Sequence, residues 1–243
     1  MSTSSNNLAN VNTTGFKKGR ASFEDLLFQH VKQVGAPTSQ QTDSPTGLSL
    51  GTGVRVGATE KTFAQGNLQQ TSNPLDLAIN GRGFFQVLLP DGTAAYTRDG
   101  SFQISATGDL VTSNGYAVQP GINIPDGAQT LTVGSDGTVA VQFAGESQPQ
   151  QVGTLQITDF VNPAGLQPQG NNLFTESGSS GPPQTGTASL NGLGSLIQGS
   201  LEASNVNVVE ELVNMIETQR AYEMNSKAVE TADQMMMTVN QMK

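Results

Sequence analysis

The chain has 243 residues, a formal net charge of −9, no cysteine, no tryptophan and a single histidine, His30. That inventory excludes a disulfide framework, a Cys-ligated zinc site and any multi-histidine metal centre, and 5% aromatics offer no stacking platform for nucleic acid or sugar. Six basic and four acidic side chains fall in residues 1–61, two basic and nine acidic in 62–200, three basic and seven acidic in 201–243. The acidic middle disfavours nucleic acid and anionic membrane surfaces and is otherwise an ordinary soluble surface.

The start, "MSTSSNNLAN", has neither the basic nor the apolar region of a secretory signal, and no window is long and apolar enough to span a bilayer. Leu8, Ala9 and Val11 look like the end of a helix, stopped by the Asn/Thr/Gly cluster that follows. In "FEDLLFQHVKQV" the residues Phe23, Leu26, Leu27, His30 and Val34 recur at helical spacing, which predicts a short amphipathic helix. Residues 1–34 are thus expected to be an N-terminal helical segment. Residues 35–53, "GAPTSQQTDSPTGLSLGTG", are expected to be an extended loop or linker, because Gly, Pro, Ser and Thr dominate them.

Residues 54–186 alternate apolar and polar positions, as in "VRVGAT", "LDLAI", "FFQVLL" and "TVAVQF". Between these runs sit Asn80-Gly81, Asp91-Gly92, Asp99-Gly100, Asn114-Gly115, Asp126-Gly127 and Asp136-Gly137, pairs that tolerate the positive φ of tight turns. An antiparallel β domain is expected here, with "ESGSSGPPQTGT" (176–187) as its exit loop. The last zone, 187–243, holds a return segment and a long helix. Asn207 followed by Glu210 forms a capping-box-like start. Ala221, Ala228, Met235 and Met242 repeat every seven residues, as do Val208, Met215, Tyr222, Val229 and Met236, with Ala232 and Val239 between them. That stripe belongs to a coiled coil or bundle helix of roughly 35 residues, about 50 Å long at 1.5 Å per residue. The fold class is therefore α+β, mainly β: an antiparallel β domain inserted between N- and C-terminal coiled-coil-forming helices.

No catalytic, cofactor or metal site emerges. "NGRGFF" lacks the third glycine and the following helix of a nucleotide-binding loop, and the Asp-Gly pairs lack the alternating ligands of an EF-hand. Asp99 beside Arg98 is a turn aspartate with no nucleophile placed near it by a motif, and no Gly-x-Ser-x-Gly elbow occurs.

Three separated stretches resemble one family. "NNLANVNTTGFKKGRASFEDLL" resembles the N-terminal signature of bacterial flagellar axial proteins, the rod and hook proteins. "NPLDLAINGRGFFQVLLPDGTAAYTRDGSFQI" resembles the opening of their shared β domain, and "LEASNVNVVEELVNMIETQRAYEMNSKAVETADQMM" their C-terminal signature, in its second half of the distal-rod type. The family carries a further apolar helix before "NNLANV" where this chain has "MSTSS", which implies a shortened N-terminal core helix. The resemblance implies a non-enzymatic subunit whose terminal helices pair in the core of a hollow tube. The implied seam is Leu8, Val11, Leu212, Met215, Tyr222, Ala228, Val229, Ala232, Met235, Met236, Val239 and Met242. Implied partners are other copies of the chain, the proximal rod protein, the hook protein, the P-ring and L-ring proteins and the flagellar export apparatus. Nucleic acid and direct membrane insertion are not implied, and the implied place is the basal body spanning the periplasm, reached by flagellar type III export without a cleavable signal. Another axial protein of the family, or a secreted cell-wall-binding β module, is the alternative reading.

Overall fold

In the computed structural model, which describes residues 2–34, 37–39, 42–43, 46–125, 127–145 and 148–241, "FFQVL" forms the central strand of the molecule. Successive side chains of a strand point to opposite faces, so adjacent Phe84 and Phe85 enter two different cores. Phe85 and Val87 join Leu77, Ile79, Phe102, Leu155 and Ile157 in the larger core. Phe84 joins Tyr96, Phe160, Leu166 and Phe174 in a smaller aromatic one. Its rings meet edge to face, with Tyr96 and Phe160 centroids 4.7 Å apart, a geometry that adds about 0.5–1.5 kcal/mol per pair to the area buried.

The chain divides into two compact units, Met1–Lys18 with Thr62–Lys243, and Gly19–Lys61. In the first unit, strand Phe84–Leu88 pairs along one edge with Ala94–Thr97. Its other edge is shared by Ala117–Gln119 and Gln156–Asp159. These lie within a nine-stranded antiparallel sheet. A three-stranded sheet of Ala128–Val133, Thr138–Phe143 and Gln150–Thr154 packs its inward Val133, Val139 and Val141 into the larger core. Two short ladders follow: Leu77–Asn80 with Ser195–Gln198, and Leu68–Gln70 with Ser200–Glu202. Through them the C-terminal part of the chain returns alongside the residues that open the β domain. Helix α1 covers Ser2–Ala9 and helix α2 covers Val208–Gln241.

The Asp-Gly turns behave as their composition predicts. Gly92 and Gly137 take φ of 82° and 89°, and the Asp91 and Asp136 carboxylates accept the backbone N–H of Thr93 and Thr138 at 2.9 and 3.1 Å. Donation by the threonine hydroxyls holds both carboxyls below the usual carboxylate range. Gly100 is required for a different reason. Its carbonyl accepts the Leu77 N–H at 3.0 Å, and a Cβ there would lie 1.6 Å from the Leu77 carbonyl oxygen. Backbone cannot yield as a flexible side chain does, so Gly100→Ala is expected to lower stability by about 3 kcal/mol, or ~6–12 °C in a thermal melt. An unshifted melt would contradict the close approach.

The second unit overturns one expectation. Residues 23–34 are not helical: Gly19–Asp25 and Phe28–Lys32 are strands. Gly19–Asp25 pairs with Val54–Lys61, placing Phe23 opposite Val56, Glu24 opposite Arg55 and Arg20 opposite Glu60. The pairs close as ion contacts, Arg55 to Glu24 at 3.0 Å. Helical spacing over twelve residues was outweighed by a partner strand some 30 residues further along, whose β-branched and oppositely charged side chains suit a cross-strand ladder. The expected linker at 35–53 also contains strand: Leu48–Gly51 pairs with Phe28–Lys32, and Pro37–Ser39 pairs with Thr42–Asp43. Its residues 35, 36, 40, 41, 44 and 45 lie outside the described residues. Polar, turn-rich composition does not preclude a ribbon whose pairing is carried by the backbone. Val54–Lys61, expected to open the β domain, belongs to this second unit. Within the expected exit loop, Gln184–Thr187 is a strand that pairs with Gln156–Asp159.

Candidate assembly interface

Residues Gly15–Lys18, Ala64–Asn67, Arg98 and Leu201–Val208 meet where the chain's two ends join the β domain. Lys17 and Glu202 have fully buried side chains with Lys17 Nζ 2.6 Å from Glu202 Oε1. Lys17 Nζ also donates to the Ala64 carbonyl at 2.9 Å. The same Glu202 oxygen accepts the Gly66 N–H at 2.9 Å, while Glu202 Oε2 faces Arg98 Nη1 at 3.2 Å. Arg98 Nη2 donates to the Gly81 carbonyl at 2.7 Å, and its guanidinium lies 5.3 Å from the Phe84 ring centroid. One carboxylate therefore serves two cations in a dry interior. Arg98 Nε has no hydrogen-bond partner, which leaves the aromatic face beside the guanidinium as compensation on that side.

Burial pushes the Lys17 ammonium below its ordinary value of 10.5, against the attraction of Glu202 and with some help from Arg98. The unfolded chain therefore binds this proton more tightly than the folded one. Stability rises with pH from the depressed folded value up to the unfolded value near 10.5. Groups common to both proteins cancel when wild type is compared with Lys17→Met. The expected outcome is that urea unfolding favours wild type over Lys17→Met more strongly at pH 9.5 than at pH 7. A difference that stays flat or falls with pH would contradict the burial of a charged lysine.

Around this buried triad lies a second layer. Thr62 N–H donates to the Lys18 carbonyl at 2.8 Å, closing the neck at which the chain leaves and re-joins the first unit. The Asn205 side chain accepts Lys18 N–H at 2.7 Å and donates to Thr62 and Ala64 carbonyls at 2.8 and 3.0 Å. Thr14 donates to Asp99 at 3.1 Å, and Asp99 also accepts the Ser101 N–H at 3.1 Å, the turn role expected of it. α2 is capped by Asn207, whose side chain accepts the Val209 N–H at 3.0 Å and the Glu210 N–H at 3.4 Å. The reciprocal half of a capping box is replaced, since the Glu210 carboxylate takes Lys18 Nζ at 2.8 Å.

Models of three protein families match the chain. The flagella basal body rod protein model covers residues 1–17, the flagellar hook protein FlgE/F/G D1 domain covers 78–141, and the flagellar basal body rod FlgEFG protein C-terminal model covers 197–242. The flagellar basal-body rod protein FlgG of Buchnera aphidicola subsp. Schizaphis graminum is 54% identical over 242 residues, all of this chain and 93% of that protein. Those of Borreliella burgdorferi and Bacillus subtilis are 47% and 39% identical, over 99% and 95% of this chain and 92% and 88% of theirs. The chain belongs to the flagellar basal-body rod protein FlgG family. Each arm of the buried triad comes from a different one of the matched segments: Lys17 from the first, Arg98 from the second and Glu202 from the third.

For a member of this rod family the telling surface is α2. Its 34 residues extend about 51 Å at 1.5 Å per residue. Only its start is held: Glu211 is buried and accepts from Asn7 of α1 at 3.2 Å. Leu8 and Val11 are half-buried, and so is Met215. Every other described residue from Leu212 to Gln241 is exposed. Tyr222 is 72% exposed, Val229 62%, Met235 65%, Met236 66% and Val239 62%, and Leu212, Ala228 and Ala232 are exposed as well. Met242 lies outside the described residues. The fold thus places Leu8, Val11, Leu212 and Met215 towards the α1–α2 contact and leaves the other described residues of the expected seam exposed. Among the described residues no group of three His, Asp or Glu side chains could hold a metal ion, and no helix is long and apolar enough to cross a membrane.

Sequence reasoning missed the triad and the Lys18 layer. Lys17, Arg98, Glu202, Lys18 and Glu211 all sit inside the recognised stretches, but nothing local pairs charges 104 or 185 positions apart. The available signal was weak: few charges, each fixed in a short apolar or turn setting.

Proposed function

We propose that the chain is a structural subunit of the distal rod that self-assembles into a rigid helical tube and transmits torque from motor to hook. The observation that carries this reading is α2, which presents an apolar stripe to solvent over about eight turns, interrupted at Thr218 and Asn225. Soluble monomers rarely expose so long an apolar surface without a partner. A stripe repeating every seven residues asks for other helices, and head-to-tail contacts that do not close into a ring generate a tube. The seam is Leu8, Val11, Leu212, Met215, Tyr222, Ala228, Val229, Ala232, Met235, Met236, Val239 and Met242, facing α helices of neighbouring copies.

The functional division follows the same reading. Residues 1–18 and 203–243 form the tube's inner wall, the β domain faces outward, and Gly19–Lys61 reaches neighbouring subunits. That last unit exposes Phe23 at 65%, Leu27 at 90% and Val34 at 75%. A two-stranded ribbon with so little apolar burial of its own is marginal until something covers it. The partners are further copies of the chain, the proximal rod protein, the hook protein, the P-ring and L-ring proteins and the export apparatus. The location is the basal body, reached by flagellar type III export without a cleaved signal. No enzymatic step is assigned to any residue.

Helix stability comes mainly from packing an apolar face. Hydrogen exchange on dilute monomer is therefore expected to show fast exchange in α2 beyond Met215, turning slow when concentrated protein forms tubes. Full protection across 208–240 in dilute monomer, or failure of the chain to restore rods and swimming to a strain lacking its own distal-rod subunit, would overturn the reading.

A further inference from the structure

We propose that Lys18 is the positioning residue that sets the direction in which the terminal helices leave the β domain. Its backbone belongs to the neck: the carbonyl accepts Thr62 N–H, and its own N–H is held by Asn205. Its side chain reaches α2, with Nζ 2.8 Å from Glu210 Oε1 and 3.1 Å from Glu211 Oε1. Glu211 in turn accepts Asn7 of α1. One side chain thus joins the neck to both terminal helices.

The burial pattern says which contact does the positioning. Glu210 is 57% exposed and Glu211 only 2% by side chain, with Lys18 at 21%. A surface ion pair contributes little and tolerates rearrangement. A buried carboxylate whose cation is removed does not, and moves toward water to regain solvation. Glu211 sits on the first turn of α2, so moving it toward water rotates or lifts that turn. Donation to Glu210 also raises the Lys18 ammonium above its ordinary value, so the clasp stays charged through neutral pH. Among the described residues of α2 beyond Glu211, only Met215 is half-buried and the rest are exposed. A small rotation at the first turn is amplified along a helix of this length. In a tube every subunit repeats that angle, so Lys18 controls whether neighbouring seams meet in register. This last step rests on the rod-subunit reading above.

The chain contains no cysteine, which makes a two-label experiment direct. Cysteines are introduced at Gln103 on the β domain and Asn214 about two turns into α2, both exposed, and spin labels report their distance in the soluble full chain. In Lys18→Gln the distribution is expected to broaden about twofold as the helix samples several exit directions, and Lys18→Arg is expected to restore it. Near-UV circular dichroism of the β-domain aromatics confirms that the fold is intact. Should Lys18→Gln fail to fold, Lys18→Met removes the charge while keeping much of the side chain's length and is read by the same labels. An unchanged distribution in a folded variant overturns the positioning role, whatever the assembly outcome. A broadened distribution with wild-type rod yield in cells overturns the link between exit angle and assembly. Failure of the wild-type chain to build rods at all is instead the failure of the rod-subunit reading.

Discussion

Replacing Glu202 by glutamine is expected to lower the unfolding free energy of the chain by about 3–5 kcal/mol, the usual cost of breaking a buried ion pair from one side. Two cations depend on this carboxylate, and the surroundings of both are closed. Lys17 and Glu202 side chains have no exposure and Arg98 has 4%. Neutralising Glu202 takes the buried countercharge from both cations, leaving neutral contacts such as the Ala64 carbonyl for Lys17 and the Gly81 and Ile79 carbonyls for Arg98. Removing Lys17 instead, as in Lys17→Met, leaves Arg98 paired one to one with Glu202 and should cost much less. That asymmetry separates an electrostatic role from simple packing, since the lysine is the bulkier loss. Lys17 can relieve the glutamine variant by giving up its proton, whereas a guanidinium cannot at any accessible pH. The penalty should therefore shrink as pH rises. Equilibrium urea unfolding of the three proteins at pH 7 and pH 9.5 measures all of this. A penalty under about 1 kcal/mol for Glu202→Gln, or a larger one for Lys17→Met, would show that packing and not charge holds the junction.

The triad also explains how the chain can keep an assembly helix poised without a partner. The apolar cores lie in the sheets, and neither includes a residue of α2. Beside buried Phe16 and Val206, the ties between the ends and the β domain are largely polar: the triad, Asn205 across the neck and the Glu211 contacts. Polar ties of this kind are directional, so they position α2 without occupying the apolar face that the proposed tube would cover. An apolar anchor would have had to use part of that face.

Periodicity made some of this readable in advance and hid the rest. The heptad spacing of Ala221, Ala228 and Met235 identified α2 and the Asn207 cap located its start to within a residue, because a helix's period and its end signals are both local. Strands Phe84–Leu88 and Thr138–Phe143 were legible for the same reason, as alternation bounded by Asp-Gly turns. Phe23–Val34 was misread as helix. Its apolar positions fit a 3.6-residue period, and what decides its state is pairing with Val54–Lys61 and Leu48–Gly51. Short apolar runs do not distinguish the two states without that partner. The apolar stripe of α2 was identifiable from its spacing, but the surface it packs against was not. Only the structure separates a helix that packs on its own β domain from one left open. The junction charges were illegible because their meaning is entirely non-local.

Ala228→Asp and Met235→Asp are expected to abolish rod assembly while leaving the monomer nearly as stable as wild type. In the isolated chain Met235 is 65% exposed and Ala228 is exposed too. A carboxylate at either site remains hydrated there, and the cost is the modest helix propensity of aspartate, about 0.7 kcal/mol or less. In the proposed tube the same position faces a neighbouring helix. An unpaired carboxylate buried there costs several kcal/mol per interface, and the cost recurs at every subunit added. A penalty of about 4 kcal/mol per contact lowers the elongation constant roughly a thousandfold, since each 1.4 kcal/mol is a factor of ten. Gln234 lies on the opposite side of α2 and is exposed. Gln234→Asp introduces the same charge off the seam and should assemble normally. The readouts are rods in isolated basal bodies, swimming in a strain lacking its own subunit, and superimposable thermal melts of the monomers. Normal rods from either seam variant would refute the placement of Ala228 and Met235 in the tube wall. Loss of rods from Gln234→Asp as well would show that α2 is surrounded on all sides, and that the seam is wider than one stripe.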